Sequence, residues 1–205
     1  AEEIQKDTDF VTSFLERLSN DPDQAKEGMF SRLRSLQIKD ARVVVEDRFV
    51  GVTWLIPEAG FNMRRSSYGL EASGDLYFPS AGGETHIHAN ANIARGLKTI
   101  DLEAAIDNAS LSNLSQKIYP DETLKEQDVS FSAKFNASLT KTLKLTTASF
   151  TAESESGKII LPNYYDEPLI YDHMEIEADY SAERKSLRVE KVAADIKGLD
   201  ITFDT

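Results

Sequence analysis

The sequence contains no cysteine. This absence excludes disulfides, thiolate catalysis, iron–sulfur clusters and cysteine-type zinc sites, although it does not indicate a cellular compartment. Long apolar runs are also missing, since none approaches the roughly 20 residues that cross a bilayer, and no transmembrane helix is predicted. Basic residues are few, because 23 Lys and Arg stand against 35 Asp and Glu, for a net charge of −12. That charge repels phosphate backbones, and we expect no nucleic-acid partner.

Residues 1–35 have the periodicity of helices. Their apolar residues recur at spacings of three and four, which places them on one stripe of a helix. Asp21 and Pro22 begin a second helix, because Asp is a favoured N-cap and Pro is favoured at the first helical position. We predict a helical lead-in of two short helices that packs on the rest of the chain. Its apolar stripes contain Ile4, Val11, Phe14, Leu15, Leu18, Ala25, Met29, Phe30 and Leu33.

The amino terminus lacks the basic and apolar regions of a signal peptide. Any targeting or anchoring segment is therefore expected outside these residues.

Residues 36–205 alternate apolar and polar side chains over long runs. From Val129 to Leu139, every odd-numbered residue is apolar and every even-numbered residue is polar. Successive side chains of a strand point to opposite faces, so this alternation predicts strands with one apolar and one polar face. The predicted strands are 36–46, 49–56, 59–65, 69–78, 84–94, 98–109, 127–139, 143–154, 157–161, 169–180 and 186–204.

The connections between these strands predict an antiparallel meander. Polar segments at 79–83, 154–157 and 182–185 are too short for the crossover that parallel neighbours need. Phase slips near Thr146 and near Lys191 predict bulges, which keep the apolar residues on one face and bend the sheet.

One segment departs from the strand pattern. Between Leu111 and Tyr119 the apolar residues are spaced for a single helical face, and Pro120 ends the run. This predicts one short inserted helix that packs over the sheet or closes one end of it.

The predicted apolar face is larger than these few helices can cover. Strands of about eleven residues are roughly 35 Å long, and eight or more of them leave apolar surface that must be buried elsewhere. The sheet can fold over into a closed sandwich, or it can curve into a trough that takes up apolar ligand. Both arrangements remain open from the residues alone.

Two histidines have the spacing of metal ligands. His86 and His88 lie two residues apart on the polar side of a predicted strand. Two imidazoles at this spacing can hold zinc or copper. No third ligand is evident, because the remaining histidine, His173, is distant in the sequence. Polar strand faces also often carry histidine without binding a metal. We therefore expect no bound metal and no cofactor.

No catalytic constellation is found. The carboxylate pairs Asp121-Glu122, Glu153/Glu155 and Asp166-Glu167 lie at predicted turns or strand ends, where solvated charge is expected rather than a raised pKa. A Gly-x-Ser-x-Gly elbow is absent, and a carbohydrate-active hydrolase would need a paired acidic site that the sequence does not locate. We predict that the chain is not an enzyme.

A family resemblance adds a functional expectation. The run Leu36-Gln-Ile-Lys-Asp-Ala-Arg-Val-Val-Val-Glu-Asp precedes Phe61-Asn-Met-Arg-Arg and then Tyr68-Gly-Leu-Glu-Ala-Ser-Gly-Asp-Leu. This order resembles the hairpin and following strands of the AsmA-like superfamily, above all its YhdP-type central region. The resemblance covers roughly residues 30–205, and its later segments are Leu111 to Pro120, Gly157 to Pro162, Pro168 to Tyr180 and Leu187 to Glu190.

The resemblance implies a bridge-like lipid carrier without catalytic residues. In such a protein an inner-membrane anchor, here outside this fragment, precedes a long periplasmic sheet. The fold would be mainly β, a long antiparallel meander curved into a groove (β-taco), with residues 36–205 as one groove segment of a longer chain. The implied partners are phospholipid acyl chains, the inner membrane and envelope proteins.

We therefore predict that a hydrophobic groove shields phospholipid acyl chains during transport between inner and outer membranes. A closed β-sandwich scaffold or interaction module without ligand is the alternative. The predicted groove lining consists of Ile87, Ala89, Ala91, Ile93, Leu102, Ala104, Ile106, Phe131, Ala133 and Phe135.

Overall fold

The alternating sequence forms a mainly β fold in the computed structural model. The strands are β1 (Ser35–Asp47), β2 (Val52–Arg65), β3 (Gly69–Ser80), β4 (Gly83–Ala94), β5 (Thr99–Ser110), β6 (Asp128–Thr140), β7 (Leu145–Ser154), β8 (Gly157–Ile159), β9 (Leu169–Tyr171), β10 (His173–Ser181), β11 (Ser186–Ile196) and β12 (Leu199–Asp204). A single 3-10 turn, Arg95–Leu97, joins β4 to β5.

The described part of the chain contains very little helix. The structure describes residues 12–13, 15–16, 18–19, 33–47, 52–80, 83–112, 126–161, 167–196 and 199–204. The backbone is helical at the first three of these ranges and again at 111–112. The end of the predicted helical lead-in is wrong, because residues 33 and 34 are not helical and β1 begins at Ser35. The remaining parts of the two predicted N-terminal helices lie outside the described residues, as does the predicted inserted helix beyond Ser112. Within the described ranges, no helix is both long and apolar enough to cross a membrane.

The strands form one open antiparallel sheet, as the short connections predict. The order is β1-β2-β3-β4-β5-β6-β7-β10-β11-β12. Strands along this path pair with their neighbours in sequence, except that β7 pairs with β10. Strands β8 and β9 extend one end of the sheet, because β8 pairs with β6 and with β9. The substantial contacts between described strands are confined to neighbours along the sheet and to β9 with β11 and β3 with β5.

The polar segment 154–157 is not the connection between neighbouring strands that we predicted. Strand β7 pairs with residues 132–139 of β6, and β8 pairs with residues 128–129 of the same strand. Both pairings are antiparallel, so β7 and β8 run in the same direction. The two are therefore successive parts of one bent strand. The prediction was wrong because the Ser-Glu-Ser-Gly composition is typical of turns, whereas continued pairing with β6 holds the direction of the chain.

The two predicted phase slips are confirmed as bulges. One leaves Thr146 unopposed between β6 and β7, and the other leaves Glu190 unopposed between β10 and β11. A third irregularity, between β5 and β6, includes Asn108, whose φ of 54° is left-handed. Asn tolerates this conformation better than most residues. Each bulge restores the apolar residues to the same face after the register shifts.

The predicted break between strands 49–56 and 59–65 is wrong. Residues 52–65 form the single strand β2. Pro57 and Glu58 lie opposite Arg42, at a shift in the register between β1 and β2. The missing N–H of the proline therefore falls at a bulge instead of in the hydrogen-bonded ladder, which allows the strand to continue.

The main buried core lies at one end of the sheet. Leu97, on the turn between β4 and β5, is 0% exposed, and Leu18 of the helical residues packs into the same cluster. Arg65 Nη1 donates a hydrogen bond of 3.0 Å to the Leu33 carbonyl, which also holds the entry to β1 at this end. The cluster consists of Leu18, Met63, Leu70, Ile93, Leu97 and Ile100.

A second buried group lies at the opposite end of β6. Tyr171 is 1% exposed, and its hydroxyl lies 2.7 Å from Ser154 Oγ, which donates in turn to the Ser130 carbonyl at 2.6 Å. Ala109 and Val129 are also buried in this region of β5 and β6. These two buried groups thus lie at opposite ends of the strands, and Ile56 and Ala59 are also buried in the middle of β2.

Candidate functional site

The apolar face is continuous across the whole width of the sheet. Directly opposed residues of antiparallel strands lie on the same face, so the register can be followed from strand to strand. One such row has an apolar residue on every strand of the ten-strand path, in the order Ala41, Ala59, Leu76, Ile87, Ile106, Ala133, Ala152, Ile176, Val192 and Phe203.

A neighbouring row repeats this arrangement one step along the strands. It contains Ile38, Phe61, Gly74, Ala89, Ala104, Phe135, Phe150, Ala178 and Val189. We call the surface formed by these two rows the apolar face. Its width follows from strand spacing, because ten strands about 4.8 Å apart span roughly 43 Å.

Large side chains on the apolar face remain open to solvent. Phe61, Phe135 and Phe150 are 38%, 39% and 37% exposed, and Ile38 and Val189 are similarly exposed. An aromatic side chain in a core would be almost fully buried, so no second layer covers this part of the face among the described residues. Soluble proteins rarely leave a contiguous apolar surface of this size uncovered unless it binds something.

Small residues create a hollow on the apolar face. Gly74 and Ala89 lie side by side on β3 and β4, next to Phe61 on β2. The hollow has a volume of about 260 Å³ and its lining is apolar throughout. A Cβ at Gly74 would meet nothing closer than a backbone oxygen 3.7 Å away, which shows that the hollow has room for further atoms.

The ten predicted lining residues lie on one face of three adjacent strands. Strand β4 contributes Ile87, Ala89, Ala91 and Ile93, and the registers with β5 and β6 place the other six on the same side. Ile93 differs from the rest because it is buried in the core cluster at the end of the sheet. Whether these side chains contact lipid stays a prediction.

The sequence-based lining omitted most of the apolar face. Strands β1 to β3 contribute Ile38, Phe61 and Leu76, and strands β7, β10 and β11 extend the face on the other side. These residues have the same period-two alternation as those that were chosen. The alternation shows that these residues lie on one face of their own strands. Only the strand order shows that these faces join the surface formed by β4, β5 and β6.

The polar face holds the two predicted metal-ligand candidates and a third residue beside them. Asp75 of β3 is directly opposite His88 of β4, and its Oδ1 lies 2.8 Å from His88 Nδ1 and 3.1 Å from His86 Nε2. The hydrogen bond from His88 lowers the pKa of Asp75, against the opposing effect of desolvation, and His86 lowers it further. Asp75 is therefore held in its charged form.

Glu175 of the polar face has a pKa shifted away from that of a general acid. Lys191 Nζ lies 2.6 Å from Glu175 Oε2, and this hydrogen bond lowers the pKa of Glu175. A general acid at neutral pH needs the opposite shift. Of the pairs considered in the sequence, Glu153 lies on β7 and Glu155 in the bend after it, whereas Asp121, Glu122 and Asp166 lie outside the described residues.

Comparison of the chain with protein-family models, with curated proteins and with solved structures finds no match. Function is therefore inferred from the geometry of the two faces.

Proposed function

We propose that the apolar face holds phospholipid acyl chains and shields them from water. In this proposal the chain is a periplasmic segment of an inner-membrane-anchored lipid carrier of the AsmA-like, YhdP-type kind, and it moves phospholipid between inner and outer membranes as part of building the cell envelope. The observation that carries the proposal is the row of ten opposed apolar residues with large, half-exposed side chains beside it.

The dimensions of the apolar face suit acyl chains that lie across the strands. A bilayer core about 30 Å thick contains two acyl chains end to end, and the roughly 43 Å width of the sheet exceeds that length. Buried residues cover one end of β2 to β5 and the opposite end of β5 and β6, whereas β1 and β12 are the edges of the open sheet. A path across the strands therefore runs between the two covered ends.

The energetics favour hydrocarbon over water on this surface. Burial contributes about 0.8 kcal/mol per methylene, so a 16-carbon chain could gain on the order of 12 kcal/mol before the losses of motion on binding. The aliphatic and aromatic lining forms no directional hydrogen bonds with the chain. Such a lining allows the lipid to slide, while the headgroup stays in water at the rim.

A pair of matched substitutions tests this proposal. Ala104 lies between Ala89 and Phe135 on the apolar face, and its neighbour Ala105 lies between His88 and Lys134 on the polar face. Ala104→Asp places a charge where hydrocarbon would bind, and Ala105→Asp adds the same charge to the solvated side. We expect the first to reduce binding of a fluorescent phosphatidylethanolamine by at least about tenfold, since a desolvated charge is costly, and the second to leave it unchanged.

The measurements are lipid content by native mass spectrometry and lipid transfer between labelled and unlabelled phosphatidylethanolamine–phosphatidylglycerol vesicles. Circular dichroism of both variants checks that the sheet is retained. Wild-type protein that contains no lipid and transfers none would reject the proposal. Equal loss of binding in both variants would reject the assignment of the lipid to the apolar face.

A further inference from the structure

The polar face brings together three side chains that the sequence keeps apart. Asp75 lies on β3, whereas His86 and His88 lie on β4, and the pairing of the two strands places all three on one face. One potential ligand atom from each residue lies within 4.8 Å of the other two. The side chains are 30% to 39% exposed, so an ion can enter from solvent.

We propose that Asp75, His86 and His88 form a binding site for a divalent transition-metal ion such as Zn²⁺. Two imidazole nitrogens and one carboxylate oxygen are ligands that suit zinc, copper and nickel. Three protein ligands leave a coordination position for water or another small ligand. This site lies on the face opposite the proposed lipid surface and does not depend on lipid binding.

The two distances from the Asp75 carboxylate to the histidine nitrogens are close to those of a tetrahedral site. Bonds of 2.0–2.1 Å to a tetrahedral zinc ion would separate neighbouring ligand atoms by roughly 3.3 Å. Asp75 Oδ1 lies 2.8 Å from His88 Nδ1 and 3.1 Å from His86 Nε2. An ion would therefore replace these hydrogen bonds after the side chains separate by a few tenths of an ångström.

Two neighbours already orient His86 for this role. The Tyr77 ring stacks on the imidazole with a centroid distance of 4.4 Å and an interplanar angle of 2°. Asp107 Oδ2 lies 3.7 Å from His86 Nδ1, the nitrogen that does not face Asp75. Metal-bound histidines commonly direct their second nitrogen to a carboxylate, which fixes the tautomer and raises ligand basicity. The present distance of 3.7 Å is longer than a hydrogen bond, and we assign Asp107 as the positioning residue that would close on His86 when an ion binds.

The electrostatic setting also favours a cation. The chain has a net charge of −12, and Asp107 of β5, directly opposite His86, adds a further carboxylate beside the site.

The experiment is isothermal titration of Zn²⁺ into the tag-free chain, followed by the same titration of single variants. We expect one ion per chain. His88→Ala and Asp75→Asn should weaken binding by at least about tenfold, and Asp107→Asn by about tenfold because it acts through His86. His173→Ala is the matched control, because His173 lies on β10 and pairs only loosely with Glu175, at 3.8 Å.

Imidazole NMR of the wild type provides a test that needs no variant. The chain has three histidines, and Zn²⁺ should shift the ring signals of His86 and His88 while leaving His173 unchanged. The proposal is overturned if Zn²⁺ does not bind stoichiometrically, if His173→Ala weakens binding as much as His88→Ala, or if Asp75→Asn has no effect. Retained lipid binding in Asp75→Asn would show that the two faces act separately.

Discussion

At the scale of single residues, small and polar side chains decide what each face can do. Gly74 and Ala89 open a hollow where larger residues would fill the surface. On the other face, Asp75 Oδ1 contacts both His86 and His88 and so joins the three side chains in one cluster. The polar face is also cross-linked by ion pairs between neighbouring strands, of which Lys191 with Glu175 is the shortest of those described.

The Lys191–Glu175 pair predicts a specific pH response. Because the ammonium lowers the pKa of Glu175, the contribution of this carboxylate to stability is present above the ordinary pKa of glutamate and is lost as pH falls through the lowered value. Lys191→Met should raise the pKa of Glu175 towards its ordinary value and weaken this part of the acid response.

Carboxyl ¹³C NMR titration measures the pKa of Glu175 directly. Lys185→Met, in the turn between β10 and β11, removes the same charge elsewhere and should leave the Glu175 titration almost unchanged. An unshifted Glu175 in the Lys191 variant would contradict the assigned cause.

At the scale of elements, two bent strands lengthen one end of the sheet, where β8 and β9 lie off the ten-strand path. Strand β7 continues as β8, because both pair with β6. Strand β9 continues as β10, because β9 pairs with β8 and β10 pairs with β7. Tyr171 crosses the bend and is buried against Ser154. The bend therefore depends on a close approach between the Tyr171 ring and the backbone at Gly157.

Gly157→Ala should destabilise this extension. A Cβ at Gly157 would lie 2.8 Å from Tyr171 Cζ, and closer still to Tyr171 Oη and to the Asp128 carbonyl oxygen. Overpacking of this kind costs about 1–3 kcal/mol, which urea denaturation would detect. Gly74→Ala is the control, because its Cβ has room, and it should change the free energy of unfolding by under about 0.5 kcal/mol. Equal losses in the two variants would show that Tyr171 is not packed as described.

At the scale of the whole molecule, one part of the apolar face stabilises the fold and another part is the proposed binding surface. The core cluster covers one end of the strands, and the centre of the same face stays exposed. Burial at the covered end stabilises the fold, while the exposed centre remains free to bind a partner. A protein that covered the whole face with its own core would have no surface for the proposed ligand.

Two leucine substitutions test this division. Leu97 is 0% exposed and Leu187 is 71% exposed. Leu97→Ala should lower the free energy of unfolding by about 2–4 kcal/mol because it leaves a cavity in the core, and Leu187→Ala by under about 0.5 kcal/mol. Thermal and urea unfolding measure both. A small loss for Leu97→Ala would place the stabilising core elsewhere.

The alternation of residues in the sequence predicted most of the strands and their one-sided character, and the short connections predicted the antiparallel meander. The single strand predicted over 186–204 was wrong, because these residues form β11 and β12, which pair antiparallel with each other. The alternation also predicted two bulges, because a slip of one residue in a period of two is visible at Thr146 and near Lys191. Each of these features depends on residues that are close in sequence or on the next strand along the chain. The pattern of apolar and polar residues is therefore enough to predict it.

The tertiary structure decided which strands continue through irregular segments and which side chains meet across them. The predicted break between residues 56 and 59 and the predicted turn at 154–157 were both wrong, because pairing with β1 and β6 continues through both segments. The lining residues could be chosen on a few strands, yet the full width of the apolar face follows only from the strand order. Asp75 could not be matched to His86 and His88, because the contact depends on the register between β3 and β4, which no residue specifies alone.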